Sequence, residues 1–215
     1  MRRIDHGFAT GYWRPQLLVL VAAGCLVLDL SGQPFSDIPV ALYRPESRAL
    51  LLSYSPTGKV PVLLTDEGPV WDSLAIAEYL AEVAPKAQLW PQERYARALA
   101  RSICAEMHSG FQALRSHLPM DMARDQALAQ LPEAVQEDID RICAIWADCR
   151  GRFGQGGAYL FGQPGVADAF YAPVASRLRS YRVELPPIAT AYVETIHQWP
   201  AFQRWRERAV QEVMK

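Results

Sequence analysis

No sign of charge dominates this sequence. Its 22 Lys and Arg stand against 23 Asp and Glu in 215 residues, for a net charge of −1, so no broad field is present to bind nucleic acid or anionic lipid by counterion release. Paired cysteine motifs are also missing. Cys25, Cys104, Cys143 and Cys149 form no Cys-x-x-Cys pair and have no histidine at zinc-finger spacing, which leaves free thiols in a reducing cytoplasm and predicts no metal site. No segment repeats with a period of about 20–50 residues, which excludes a solenoid. A membrane-length apolar run is absent as well: the stretch Leu17-Leu-Val-Leu-Val-Ala-Ala-Gly-Cys-Leu-Val-Leu meets Asp29 before reaching the roughly 18 residues a span needs. With Arg2 and Arg3 ahead of it and Ala-Ala-Gly-Cys inside it, the stretch has the outline of a lipoprotein export signal. Its continuation to Leu30 reads instead as a buried strand or helix of a first domain. A mature chain beginning at acylated Cys25 is the alternative.

Half of the residues are hydrophobic, enough for one sizeable core or two smaller ones. From Gln33 to Leu80 the chain is punctuated by Pro34, Pro39, Pro45, Pro56, Pro61 and Pro69, and short apolar runs alternate with turn signals, as in a compact sheet with short connections. Val60-Pro-Val-Leu-Leu-Thr, the turn Asp66-Glu-Gly and then Pro69-Val-Trp read as a β-hairpin. A helix follows, with Asp72 as its N-cap and Leu74, Ala77, Leu80, Ala81 and Ala84 on one face before Pro85. Beyond Trp90-Pro91 the period becomes helical. Tyr95, Leu99, Ile103, Met107, Phe111, Leu114 and Leu118 make one stripe, and Val135, Ile139, Ile142, Trp146, Cys149 and Phe153 a second. Shorter helices start near Val166 and Ala201. The chain therefore divides into an α/β domain over residues 1–85 and an all-α domain over residues 91–215.

Five segments carry a family likeness. Ser55-Pro-Thr-Gly-Lys-Val-Pro-Val-Leu, Trp71-Asp-Ser-Leu-Ala-Ile-Ala-Glu-Tyr-Leu, Leu89-Trp-Pro, Glu106-Met-His-Ser-Gly-Phe and Phe161-Gly-Gln-Pro-Gly-Val-Ala-Asp-Ala-Phe-Tyr-Ala-Pro occur in that order. Together they resemble the bacterial cytosolic glutathione S-transferases, and the likeness runs from Pro34 to the C-terminus. It implies a thioredoxin-like N-terminal domain, an all-helical C-terminal domain and a cytoplasmic homodimer. It also implies glutathione as co-substrate, an apolar electrophile as second substrate and transfer of the glutathione thiol, as in detoxification. A protein of this fold kept for binding or regulation, with weak or no transferase activity, is the alternative.

Glutathione's γ-glutamyl end carries a carboxylate and an ammonium. Asp72-Ser73 at a helix start suits both, because the Ser73 hydroxyl and open backbone N–H groups hold an anion while the Asp72 carboxylate faces a cation. Alone, the dipeptide would be a plain cap. The resemblance makes Val60-Pro61 a cis peptide whose Val60 N–H and C=O pair with the cysteinyl part of glutathione, where base rates alone favour a trans proline at a strand start. Lys59 either reaches the glycyl carboxylate or stays solvated. Catalysis needs a hydroxyl at the first helix's N-terminus to lower the thiol pKa. Where the family carries Ser-Ser-Trp-Ser-Leu-Arg-Pro, the nearest counterpart here is Ala9-Thr-Gly-Tyr-Trp-Arg-Pro, which puts Thr10 in the catalytic place with Tyr12 as a competing hydroxyl. In the rival register the strand is Leu17-Leu-Val-Leu-Val and the helix begins near Cys25, leaving no activating hydroxyl. Glu106 and His108 fall on different helix faces and make no metal or acid–base pair. Met107 and Phe111 read as core residues, and Asp168 as half of a capping box with Gly165 in the cap position.

Overall fold

The computed structural model describes residues 16–19, 22–40 and 44–213. The N-terminal part runs β1 (Gln16–Val19), α1 (Ala22–Ser31), β2 (Ser36–Pro39), α2 (Ser47–Tyr54), β3 (Val62–Thr65), β4 (Gly68–Trp71) and α3 (Ser73–Val83). The strands form one sheet in the order β2-β1-β3-β4. Parallel β1 and β2 are joined through α1, and β3 runs antiparallel to both β1 and β4. This thioredoxin-like arrangement contains the expected hairpin and the expected helix after it. Asp72 caps α3, its Oδ1 accepting from Leu74 N at 2.8 Å.

The apolar run that resembled an export signal supplies β1 and α1. Most of α1 is buried, including Ala22, Ala23, Cys25, Leu26, Val27 and Leu28, because α3, α7 and α9 all pack around it. A helix covered on most sides loses its amphipathic signal. The interrupting Asp29 is satisfied from the helical part, by Arg204 Nη2 at 2.7 and 2.9 Å. Arg208 makes a second bridge of this kind to Asp37 in β2.

A 3₁₀ turn at Pro85–Ala87 leads to the helices α4 (Arg94–Ser109), α5 (Gln112–His117), α6 (Glu133–Phe153), α7 (Val166–Ser180), α8 (Pro187–Gln198) and α9 (Pro200–Val213). The first stripe is therefore two helices rather than one. Gly110 ends α4, and Phe111, at φ 57°, restarts the chain as α5. Met107 and Phe111 are both buried in the core. Trp146 of α6 packs between Tyr171 and Tyr192, at ring separations of 5.8 and 4.6 Å.

At the start of α7, Asp168 is fully buried and accepts from Leu160 N, Gly165 N and Tyr192 Oη at 3.1, 2.9 and 2.8 Å. Gly165 has no side chain to return the bond, so half of a capping box is made. Burial raises the Asp168 carboxyl to about 6 against these three donors.

Candidate functional site

Three chain segments meet at one end of the sheet, and strand register puts them there. Val62, the first residue of β3, pairs with Leu18 near the end of β1 and with Trp71 at the end of β4. The residue before Val62 is Pro61, the residue after Trp71 is Asp72, and β1 leads at the same end into α1. The cis-proline loop, the start of α3 and the start of α1 are thus neighbours, though they lie far apart in sequence.

The cis-proline loop is shaped by Gly58, whose φ of +60° suits glycine and whose Cβ, if present, would come within 3.2 Å of Leu52. Lys59 is exposed, Val60 half-buried and Pro61 buried. The Val60–Pro61 peptide is cis, as the resemblance implies. Next to it, Asp72 has φ 76° and ψ 135°, outside the regions an L-residue adopts at low energy. That backbone turns the Asp72 carboxylate back onto the first turn of α3. Ser73 is buried, and its hydroxyl has no hydrogen-bond partner among the described residues. A helix start also leaves backbone N–H groups without intrahelical acceptors. Asp72 Oδ1 takes one of these, from Leu74, and the others remain open to an anion. The loop and the α3 start together offer anion donors, a cation acceptor and an extended backbone edge within one surface.

A residue that the sequence reading considered only as a partner for Glu106 completes this surface. His108, in the last turn of α4, places its Nε2 2.7 Å from Asp72 Oδ2. Helical phase separated it from Glu106, and the two indeed take different partners, Glu106 accepting from Arg141 Nε and Nη2 at 2.7 and 2.9 Å. Nothing in the local pattern of α4 announces a contact across the domains. Among the described residues, no three His, Cys, Asp or Glu side chains gather as metal ligands would.

The start of α1 is different in kind. Thr10 and Tyr12 lie outside the described residues. The described strand that leads into α1 is Gln16–Val19, and α1 begins at Ala22, which is the order of strand and helix in the rival register. Thr10 precedes β1, and the residues from Leu20 to Cys25 are Leu, Val, Ala, Ala, Gly and Cys, with no hydroxyl among them. Cys25 is buried at 2% exposure. Arg14-Pro15 precedes this strand in sequence.

A β2-β1-β3-β4 sheet with a cis-proline loop and a capped α3 at one end, followed by an all-helical half, defines a two-domain protein of the thioredoxin-like class. The glutathione S-transferase N-terminal domain family matches residues 25–83, and the glutathione S-transferase C-terminal domain family matches residues 92–208. The chain is similar to glutathione S-transferase Z2 of Arabidopsis thaliana, with 26% identity over 201 residues covering 89% of this chain and 86% of the plant protein. It is also similar to maleylacetoacetate isomerase of Rattus norvegicus, with 25% identity over 169 residues covering 77% of this chain and 76% of the rat protein. Among solved structures it resembles a glutathione transferase homolog from Burkholderia gl BGR1 with bound glutathione, at TM-score 0.66 and 25% identity, covering 91% of this chain and 97% of that one. The chain belongs to the glutathione S-transferase family.

Proposed function

We propose that this chain is a glutathione-dependent transferase whose γ-glutamyl subsite is the start of α3. The observation that carries the reading is the Asp72-Ser73 helix start beside the cis Val60–Pro61 peptide. There the γ-glutamyl carboxylate meets the Ser73 hydroxyl and open N–H groups, strengthened by the helix dipole, and the ammonium meets Asp72. Val60 N–H and C=O pair with the cysteinyl unit as an added strand would, and exposed Lys59 lies on the side of the glycyl carboxylate. This places the sulfur toward the start of α1. With no hydroxyl there, the first-turn N–H groups and the dipole of α1 are what stabilises a thiolate. The relatives named isomerases make cis–trans isomerisation of an unsaturated acyl compound a reaction to assay beside conjugation to an apolar electrophile. The same reading carries a cytoplasmic homodimer, and Trp71 and Tyr95, 42% and 55% exposed, are apolar surface that a second copy would cover.

The test is glutathione affinity measured together with turnover on an aryl halide and on maleylacetoacetate. Binding with turnover is expected, and absence of glutathione binding would sink the proposal. Binding without turnover on either substrate favours a second reading, a glutathione-binding protein without transferase activity. That reading is supported by the apolar sequence at the start of α1.

A further inference from the structure

Asp72 has two carboxylate oxygens with separate tasks. Oδ1 accepts from Leu74 N and is part of the α3 cap. Oδ2 points away from the helix and is taken by His108 Nε2 at 2.7 Å. We propose that His108 is a placeholder for the γ-glutamyl ammonium: it occupies Asp72 Oδ2 in the unliganded chain and leaves when glutathione arrives. This rests on the assignment of the γ-glutamyl subsite to the α3 start.

Three features support a placeholder over a permanent strut. Asp72 cannot follow a moving partner, because its backbone is fixed at φ 76° and its Oδ1 is committed to the cap. The pair is accessible to water, with the two side chains 46% and 41% exposed, so its strength is modest and an incoming cation can replace it. The backbone of His108 is anchored independently of its ring. Arg115 Nη2 donates to the carbonyls of Met107 and His108, the latter at 3.4 Å, which leaves the imidazole free to rotate about χ1 and χ2. The charged groups that contact His108 are Asp72 from α3, at the ring, and Arg115 from α5, at the backbone carbonyl, while Glu106 on its own helix is occupied by Arg141. No carboxylate other than Asp72 is paired with His108 among the described residues.

Competition for one oxygen has a definite signature. A ligand that must displace a resident partner binds more weakly than its contacts alone would give. Removing the partner therefore strengthens binding of a ligand with the ammonium and does nothing for a ligand without it. The expected outcome, by titration calorimetry on the full chain, is that His108→Ala binds glutathione roughly two- to fivefold more tightly than wild type, the range an exposed pair supports. Glutaryl-cysteinylglycine, which is glutathione without its amine, should bind both forms equally. His108→Phe, which keeps a ring but no donor, should behave as the alanine variant does, and circular dichroism checks that each variant is folded. Weaker glutathione binding by the variants would make His108 a ligand contact and overturn the placeholder. Equal binding of glutathione by all forms would also overturn it, leaving the α3 subsite intact. Failure of every form to bind glutathione would instead bring down the subsite assignment and this inference with it.

Discussion

Two helix starts face the same end of the sheet, and they could hardly be less alike. The start of α3 is polar and half open, with a capping carboxylate, a buried serine and a histidine reaching over from α4. The start of α1 is an apolar sequence, and its described residues are packed beneath α7 and beside α3. Both offer the positive end of a helix dipole. Only the first adds side chains that recognise a charged ligand. On the proposed reading, ligand affinity and thiol activation fall at separate positions, and a chain can keep the first while its second position departs from the family pattern.

The largest effect expected is on the support of the α1 side. α1 lies against α7, and the first turn of α7 is held by buried Asp168. Asp168→Ala strands Leu160 N, Gly165 N and Tyr192 Oη without an acceptor, for a loss of roughly 3 kcal/mol in urea unfolding. Tyr192→Phe removes one of those bonds and should lose about 1 kcal/mol. An Asp168→Ala loss no larger than that of Tyr192→Phe would show that water reaches this core.

Next in size is the α3 side. Ser73→Ala should weaken glutathione binding by roughly 1–3 kcal/mol, the value of a hydrogen bond to a charged group, with unfolding stability nearly unchanged because Asp72 still caps the helix. Unchanged affinity would move the γ-glutamyl subsite elsewhere. The two variants sharpen the contrast between the regions: one reads out in stability, the other in affinity.

The helical floor is distinguished by its pH dependence. His197 of α8 is buried, its ring has no well-formed hydrogen bond among the described residues beyond a weak approach to the Ala175 backbone, and it packs edge-on to Phe202 at 5.2 Å. Burial lowers its pKa from 6.5 to about 4, and repulsion from Arg179 and Arg206 adds to the shift. The folded pKa is depressed, so the unfolded chain binds the proton first. The neutral ring contributes fully above 6.5, and its contribution is lost as pH falls toward about 4. Asp168 works in the opposite direction. Its raised pKa gives a contribution that is full below 3.8 and lost as pH rises through about 6. His197→Phe should therefore gain stability relative to wild type as pH falls from 6.5 to about 4, read from urea midpoints across that range. A constant gap between the two forms would mean that the imidazole protonates as easily in the folded chain as in the unfolded one.

How far these regions could be read in advance follows from how each is buried. The β3–β4 hairpin and α3 carry their own signals, alternation, a turn and a capping aspartate, and they lie where those signals predict. The long stripes of α4 and α6 also showed, because each helix buries one face. The break at Gly110 and Phe111 did not, since α5 continues the apolar phase of α4. Helix α2 was missed because only Ser47 and Leu51 of its residues are buried while Leu50 and Leu52 are exposed, which leaves little periodicity between Pro45 and Pro56. α1 was legible only as a buried strand or helix without bounds, for the reverse reason: a run apolar on nearly every face has no period to find. The His108–Asp72 contact joins domains, and no local pattern encodes such a meeting.

The smallest effect expected is none, and it tests the α1 side most directly. The motif around Thr10 resembles the family's catalytic segment in its Trp-Arg-Pro, but that tripeptide stands before β1 here. A hydroxyl that lowers the thiol pKa from the head of the first helix must stand beside that helix's first turn, and α1 begins at Ala22. Thr10→Ala should therefore leave both glutathione affinity and kcat within about twofold of wild type, whereas loss of an activating hydroxyl would lower kcat and spare binding. A selective fall in kcat would restore the hydroxyl to the site and make the two helix starts equivalent in function. An unchanged kcat, if turnover is present at all, leaves the backbone N–H groups and dipole of α1 as the source of thiolate stabilisation.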